Sequence, residues 1–135
     1  MAQGIGVYEF TGPGYKPLVY SQDWMVALLN YEDIMGLENA LEIERHVKTD
    51  EVFLLLKGQV VFYLIAGDQP LQVVELKPGL IYNVHAGTWH NLLATQEAVF
   101  AIVENRATDR FDTEIRPLSN KERERIHALL PGWVK

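Results

Sequence analysis

The sequence predicts an all-β fold, an antiparallel sandwich or barrel, with a short helix near its C-terminal end. Runs of about five to eight residues rich in Val, Ile, Leu, Phe and Tyr alternate with turn residues up to about residue 104. From about residue 119 the apolar residues recur instead at helical spacing. No internal repeat, low-complexity segment or linker interrupts the 135 residues, so we expect one domain over residues 1–135.

The predicted elements follow one another with clear turns between them. N-terminal strands are expected within residues 5–20, from the runs IGVYEF and KPLVY, and the core barrel over residues about 23–104. The strands of that barrel are predicted from DWMVALLNY, ALEIERHV, EVFLLLK, QVVFYLI, LQVVEL, LIYNV, WHNLLAT and EAVFAIVE. Ser119 with Glu122 three residues later is a capping-box pattern, which predicts a helix over about 119–130 that Pro131 and Gly132 end.

Composition excludes several classes of function. The chain has no cysteine, so it forms neither disulfides nor thiolate metal sites. Its net charge of −6 disfavours nucleic acid as a partner. No apolar run approaches the roughly 20 residues of a membrane-spanning helix, and the first residues lack the pattern of a signal peptide. We therefore expect a cytoplasmic protein that associates with neither nucleic acid nor membrane.

The run EVFLLLK is apolar on both of its faces. Phe53 and Leu55 would lie on one side of the strand, and Val52, Leu54 and Leu56 on the other. Antiparallel strands usually bury one face and expose the other to water. A second cover is therefore expected: a partner subunit, which predicts a homodimer, or the N-terminal segment or C-terminal helix of the same chain.

The run ALEIERHV carries the first candidate site residues. Strand alternation places Glu42, Glu44 and His46 on one face and Leu41, Ile43 and Val47 on the other. Taken alone, this pattern fits a solvated sheet face better than it fits a metal site.

Spacing along the chain changes that balance. The residues Glu44-x-His46-x4-Glu51-x6-Gly58 resemble the first cupin motif, which normally reads His-x-His, three or four residues, Glu, six residues, Gly. Downstream, GLIYNVHAGTWHNLLA resembles the second cupin motif. It supplies Gly79, Gly87 and His90 and has His85 and Ala94 where that motif has Pro and Asn. The chain is thus similar to small single-domain, RmlC-like cupins over residues 41–104. This resemblance implies an antiparallel double-stranded β-helix, the jelly-roll or cupin barrel.

The resemblance implies a metal site inside the barrel. Its ligand candidates are Glu44, His46, Glu51 and His90, a nitrogen and oxygen set suited to a divalent ion such as Fe, Mn, Ni, Co or Zn. Glu44 stands where the family has its first histidine. It could bind the metal, or remain unbound as a general base beside the metal, its pKa raised by the neighbouring Glu51. Glu44 and Glu51 are the catalytic candidates, either of which would move a proton. The fold could also have lost its metal.

A mostly apolar substrate pocket is expected around this site. Phe53, Leu55 and Leu92 share the inward phase, and His85 would border the pocket mouth or lie exposed on its turn. Trp89 should point away from the pocket.

Cupins resemble one another across many functions, so two hypotheses remain open. One is a metal-dependent enzyme acting on a small polar metabolite, with isomerase, lyase or dioxygenase chemistry. The other is a non-catalytic small-ligand-binding or sensor protein, with or without a metal.

Overall fold

The fold comes from a computed structural model, which describes residues 3–106 and 112–134. Within that part the chain forms ten strands and one α-helix, and two short 3-10 turns, Asp33–Met35 and Leu37–Asn39, precede the third strand. The strands are β1 Gly14–Tyr20, β2 Trp24–Asn30, β3 Glu42–His46, β4 Glu51–Lys57, β5 Val60–Ile65, β6 Gln72–Glu75, β7 Tyr82–Val84, β8 Trp89–Ala94, β9 Val99–Asn105 and β10 Thr113–Pro117, and the helix is α1 Asn120–Leu129.

The ten strands form two antiparallel five-stranded sheets. The first sheet has the order β1-β2-β9-β4-β7 and the second the order β10-β3-β8-β5-β6. Strands adjacent in sequence often lie in different sheets, as β3 and β4 do, which is the connectivity of a jelly roll. The predicted all-β jelly-roll fold with a short C-terminal helix is confirmed.

Two hydrophobic clusters hold the sheets together. The first lies between the sheets and includes Phe53, Phe62 and Phe100, each at most 3% exposed. The second lies on the outer face of the second sheet, where Tyr63 of β5 and Ile126 of α1 are both buried. Strand β5 is therefore buried on both faces, because α1 covers the side that the first sheet does not.

The helix, Asn120–Leu129, begins directly after the N-cap residue that the sequence predicts. Ser119 is its N-cap: the Ser119 Oγ accepts a hydrogen bond from the Glu122 backbone N–H at 3.1 Å, and Glu122 Oε1 accepts one from the Ser119 N–H at 2.8 Å. This reciprocal pair satisfies two backbone donors that the first turn would otherwise leave without partners.

The predicted N-terminal strand at residues 5–10 does not form; β1 begins at Gly14 instead. Ile5, Val7 and Tyr8 are all more than half exposed. Alternation of apolar residues is insufficient without a neighbouring strand to supply hydrogen bonds. The chain before β1 is held by the side-chain amide of Asn30, which donates to the carbonyl oxygens of Phe10 and Gly12 at 2.9 and 2.8 Å.

The outer face of β4 is apolar, as the sequence predicts, and remains partly exposed. Val52 and Leu54 are half-buried, and Leu56 is 56% exposed. Unlike β5, this strand is not covered by α1. No helix in the described part of the chain is both long and apolar enough to cross a membrane.

Candidate functional site

Three buried side chains converge between the sheets. His46 is the last residue of β3, Glu51 the first residue of β4 and His90 the second residue of β8. Glu51 Oε1 lies 2.9 Å from His46 Nε2 and 3.3 Å from His90 Nε2. One ligand atom from each of the three lies within 4.8 Å of the others, and no residue of the group is more than 7% exposed. The two predicted motifs therefore meet in space.

Two turns set the positions of these residues. Gly87 has a φ of +83°, a conformation that favours glycine, and its N–H donates to the His46 carbonyl oxygen at 2.7 Å. This bond ties the turn before β8 to the end of β3. The corner between β3 and β4 is held by Asp112, whose carboxylate accepts hydrogen bonds from the backbone N–H groups of Lys48 and Thr49.

Both imidazoles are oriented by a second contact at Nδ1. His90 Nδ1 donates to the carbonyl oxygen of Thr88 at 2.9 Å, and His46 Nδ1 lies 3.0 Å from the Thr113 hydroxyl. In a neutral imidazole, a proton fixed on Nδ1 leaves the lone pair on Nε2. For His90, the neutral ring that a metal ion would bind therefore directs its Nε2 lone pair into the site. This is the tautomer and orientation that a metal ligand requires, and the donor set of two nitrogens and one carboxylate suits a divalent ion.

The surroundings of Glu51 and His46 shift the pKa values of both groups. Burial alone would raise the pKa of Glu51, but hydrogen bonds with His46 and His90 outweigh it and lower that pKa to about 2. Burial acts to lower the pKa of His46, yet the hydrogen bond and the charge of Glu51 more than offset it, and the pKa of His46 is raised. Glu51 is therefore an anion under the conditions in which a metal would bind.

Glu44 lies beside this group rather than within it. It is paired with His90 across β3 and β8, is half-buried, and lines the same cavity as the three residues. Its carboxylate does not belong to the group of ligand atoms that lie within 4.8 Å of one another. Burial raises the pKa of Glu44, and the charge of Glu51 adds to that effect.

A further buried carboxylate, Glu104, was absent from the sequence-based prediction. Glu104 is 5% exposed, lies opposite Glu51 in the β4–β9 pair, and accepts a hydrogen bond from the Tyr15 hydroxyl. Burial first, and then the charge of Glu51, raise its pKa to about 8, although the bond from Tyr15 opposes the change. Strand alternation is the feature of the sequence that could have identified Glu104, because it shares the inward face of β9 with Phe100 and Ile102.

The site opens into a cavity of about 560 Å³. Of the predicted pocket residues, Phe53 and Leu92 line it, as do Glu44, His46, Glu51 and His90. Leu55 packs in the core between the sheets and is not among the lining residues. His85 does not line the cavity either; its side chain is 78% exposed and lies 3.7 Å from Asp50.

Trp89 points away from the cavity, as its alternation with His90 predicts. On the outer side of the second sheet, its ring is close to two guanidinium groups, Arg45 at 4.6 Å and Arg116 at 5.0 Å from the ring centroid.

At the sequence level, no protein-family model and no curated protein matches the chain. Solved structures do match its fold. A cupin-2 domain protein from Shewanella frigidimarina is 25% identical, with a TM-score of 0.53 over 72% of this chain and 85% of its own. Pac13 from Streptomyces, a nucleoside dehydratase, is 20% identical, with a TM-score of 0.57 over 84% of this chain and 88% of its own.

A third similar structure is that of the 3,4-ketoisomerase QdtA from Thermoanaerobacterium thermosaccharolyticum, a double mutant in complex with TDP. It is 21% identical, with a TM-score of 0.53 over 66% of this chain and 63% of its own. These proteins share the two-sheet jelly roll that the two sequence motifs predict. By its fold and its motifs, the chain is a member of the cupin superfamily.

Proposed function

We propose that this cupin binds one divalent metal ion through His46, Glu51 and His90 and acts on a small polar metabolite in the adjoining cavity. The observation that carries the proposal is the convergence of two imidazole Nε2 atoms on one carboxylate oxygen at 2.9 and 3.3 Å in a buried site. An imidazole pair of this kind around an anionic carboxylate is a ligand set for Fe, Mn, Ni, Co or Zn.

The three residues would hold the ion at the cavity wall, where a substrate oxygen or Glu44 could also reach it. When bound, the ion supplies Lewis-acid polarisation of a substrate oxygen. Glu44 lines the cavity next to this site, and its raised pKa suits a group that accepts and returns a proton. Glu104 and Tyr15 form a second hydrogen-bonded pair on the cavity wall that can hold a proton behind Glu51.

These features favour proton-transfer chemistry of the isomerase or lyase type. Two proteins of similar structure support this choice, since one is a nucleoside dehydratase and the other a 3,4-ketoisomerase. Both reactions move protons at a carbon next to an oxygenated carbon. A carboxylate beside a metal ion can accept and return such a proton.

We also propose that two chains pair through the outer face of the first sheet. On that face, Val26, Val103 and Val52 lie side by side across β2, β9 and β4, and Leu28, Ala101 and Leu54 form the next row. All six are half-buried in the single chain. A second copy packed against them would remove this apolar surface from water.

The metal proposal is tested by metal analysis of histidine variants. The chain has four histidines, of which two are in the site and two, His85 and His127, are exposed. Purified protein should hold about one ion per chain. His46→Ala and His90→Ala should each lower metal affinity by at least about 100-fold, because even loss of a supporting contact costs 10–100-fold. His85→Ala and His127→Ala are the matched controls and should retain the ion.

Equal metal content in all four variants would show that the site is assigned to the wrong residues. Enzyme and binding protein are then separated by incubating candidate metabolites with the metal-loaded protein in D₂O. Deuterium incorporation that Glu44→Gln abolishes supports an enzyme. A thermal shift without incorporation or turnover supports the binding protein instead.

A further inference from the structure

The charged groups on the cavity wall are nearly all of one sign. Besides the two histidines, the described residues that line it include five carboxylates, and no lysine or arginine. The five are Glu32, Glu42, Glu44, Glu51 and Glu104. Binding sites for phosphate or carboxylate groups normally use Arg, Lys or clustered backbone N–H donors, so the wall lacks the usual means of holding an anion.

The nearby arginines are held on the opposite face of the sheet. Arg45 alternates with Glu44 and His46 on β3, so its side chain leaves the cavity; it lies 2.7 Å from Glu114 and stacks on Trp89. Arg116 alternates with the cavity residue Ile115 on β10. Its guanidinium makes two hydrogen bonds of 2.9 Å with Glu122. Both cations are therefore engaged by other groups and cannot reach a ligand in the cavity.

A bound metal ion does not make the net charge of the cavity wall positive. If Glu44 and Glu104 are both counted as protonated, the three remaining carboxylates still exceed the two positive charges of a divalent ion by one. A phosphorylated ligand would enter against this field and meet neither Lys nor Arg among the described lining residues, which costs free energy both by repulsion and by desolvation.

The more exposed residues of the lining form the mouth of the cavity, which is acidic at Glu32 and Glu42 and largely apolar elsewhere. Ile34, Leu41 and Ile115 line it and are 66%, 50% and 59% exposed. Deeper in, Phe53 and Leu92 extend the apolar wall towards the two histidines. A ligand that fits has an apolar or aromatic body against this rim and hydroxyl or carbonyl oxygens at its inner end.

Building on the proposed metal function, we infer that the cavity takes an uncharged, hydroxyl-bearing molecule with an apolar or aromatic body, such as a nucleoside without its phosphate. Phosphorylated and carboxylated molecules of the same size are rejected by Glu32 and Glu42 at the mouth. The 3,4-ketoisomerase of similar fold, whose structure contains TDP, thus shares the barrel but not this class of ligand.

The inference is tested with inorganic phosphate as the probe and a cobalt-loaded protein as the reporter. Cobalt content is measured first and tests the metal proposal by itself. Phosphate is then titrated at low ionic strength, where charges are least screened, and its binding to the ion is followed in the visible spectrum. If cobalt is not retained, the metal proposal fails and the same titration is followed by thermal shift.

Three variants are compared with the native protein. Glu32→Gln/Glu42→Gln removes two charges at the mouth without touching the proposed ligands. Glu97→Gln/Glu124→Gln removes two exposed charges elsewhere and is the matched control. Arg110→Gln tests a cation that lies outside the described residues.

The mouth variant should bind phosphate at a concentration at least about five-fold lower than the native protein does, from simple Coulomb repulsion, while the control and Arg110→Gln should behave as the native protein. Uridine should stabilise the native protein at least as well as uridine 5′-monophosphate does. Equal phosphate affinity in the native and mouth-variant proteins would overturn the inference. So would tighter binding of the monophosphate, or phosphate binding that Arg110→Gln abolishes.

Discussion

Replacing Glu104 by Gln should change how the stability of the metal-free protein depends on pH. The Glu104 carboxyl has a pKa raised from its usual 4.5 to about 8 by burial and by the charge of Glu51. Between these two values, the folded state keeps a proton that the unfolded state has lost. Stability must then fall as pH rises, because ionising the group is harder in the folded protein than in the unfolded one.

The size of the effect follows from proton linkage. One proton retained only by the folded state lowers the free energy of unfolding by up to about 1.4 kcal/mol for each pH unit. From pH 4.5 to pH 7 this amounts to at most about 3 kcal/mol. Glu104→Gln keeps the shape and a donor towards Glu51 but removes the titration. The free energy of unfolding of the variant, relative to that of the native protein, should therefore increase by up to this amount as pH rises.

Urea unfolding from pH 5 to pH 8, after removal of metal with a chelator, measures this difference directly. Glu97→Gln changes an exposed carboxylate and serves as the control, with a constant offset from the native protein. Native and Glu104→Gln curves that stay parallel over the whole range would refute the reasoning. That result would mean that Glu104 titrates alike in the folded and unfolded states.

Three further predictions concern the fold and assembly. Gly58→Ala should lower the free energy of unfolding by more than about 2 kcal/mol in urea, because φ is +81° and a Cβ would lie 2.6 Å from the Ala98 Cα. Gly67→Ala has φ +55° and open space around the new Cβ, so it should lower that free energy by only about 1 kcal/mol. Equal losses of stability in the two variants would contradict this. Ser119→Ala should destabilise the protein by about 1 kcal/mol through loss of the capping box, and an unchanged urea midpoint would show that the cap contributes nothing. Leu54→Glu should convert the proposed homodimer to a monomer in sedimentation experiments, whereas a native protein that already sediments as a monomer would refute the proposed interface.

The sequence was sufficient to predict the fold and the convergence of three of the four candidate ligands. Two motifs separated by two strands specify which strand positions face inward, and alternation then brings His46, Glu51 and His90 together. Alternation also places Trp89 outside. These relationships depend only on local periodicity and on one known topology.

Other features of the fold and of the site could not be predicted from the sequence, because they depend on contacts between distant segments of the chain. Phe53 and Leu55 share one face of β4, but only Phe53 lines the cavity, because each strand residue advances by about 3.3 Å and two residues carry Leu55 into the core. Glu104 and Tyr15 meet only when β9 and β1 join the same sheet, and no motif marks either of them. The alternating run at residues 5–10 lacked a partner strand, which periodicity alone cannot reveal.

The central claim is that a divalent ion is held by His46, Glu51 and His90 inside the barrel. Anomalous diffraction at the absorption edge of the metal found in the purified protein tests it most directly. We predict one peak within about 2.0–2.2 Å of both Nε2 atoms and of a Glu51 oxygen. Crystals that contain the metal but show the peak elsewhere, or show none at these atoms, would contradict the account.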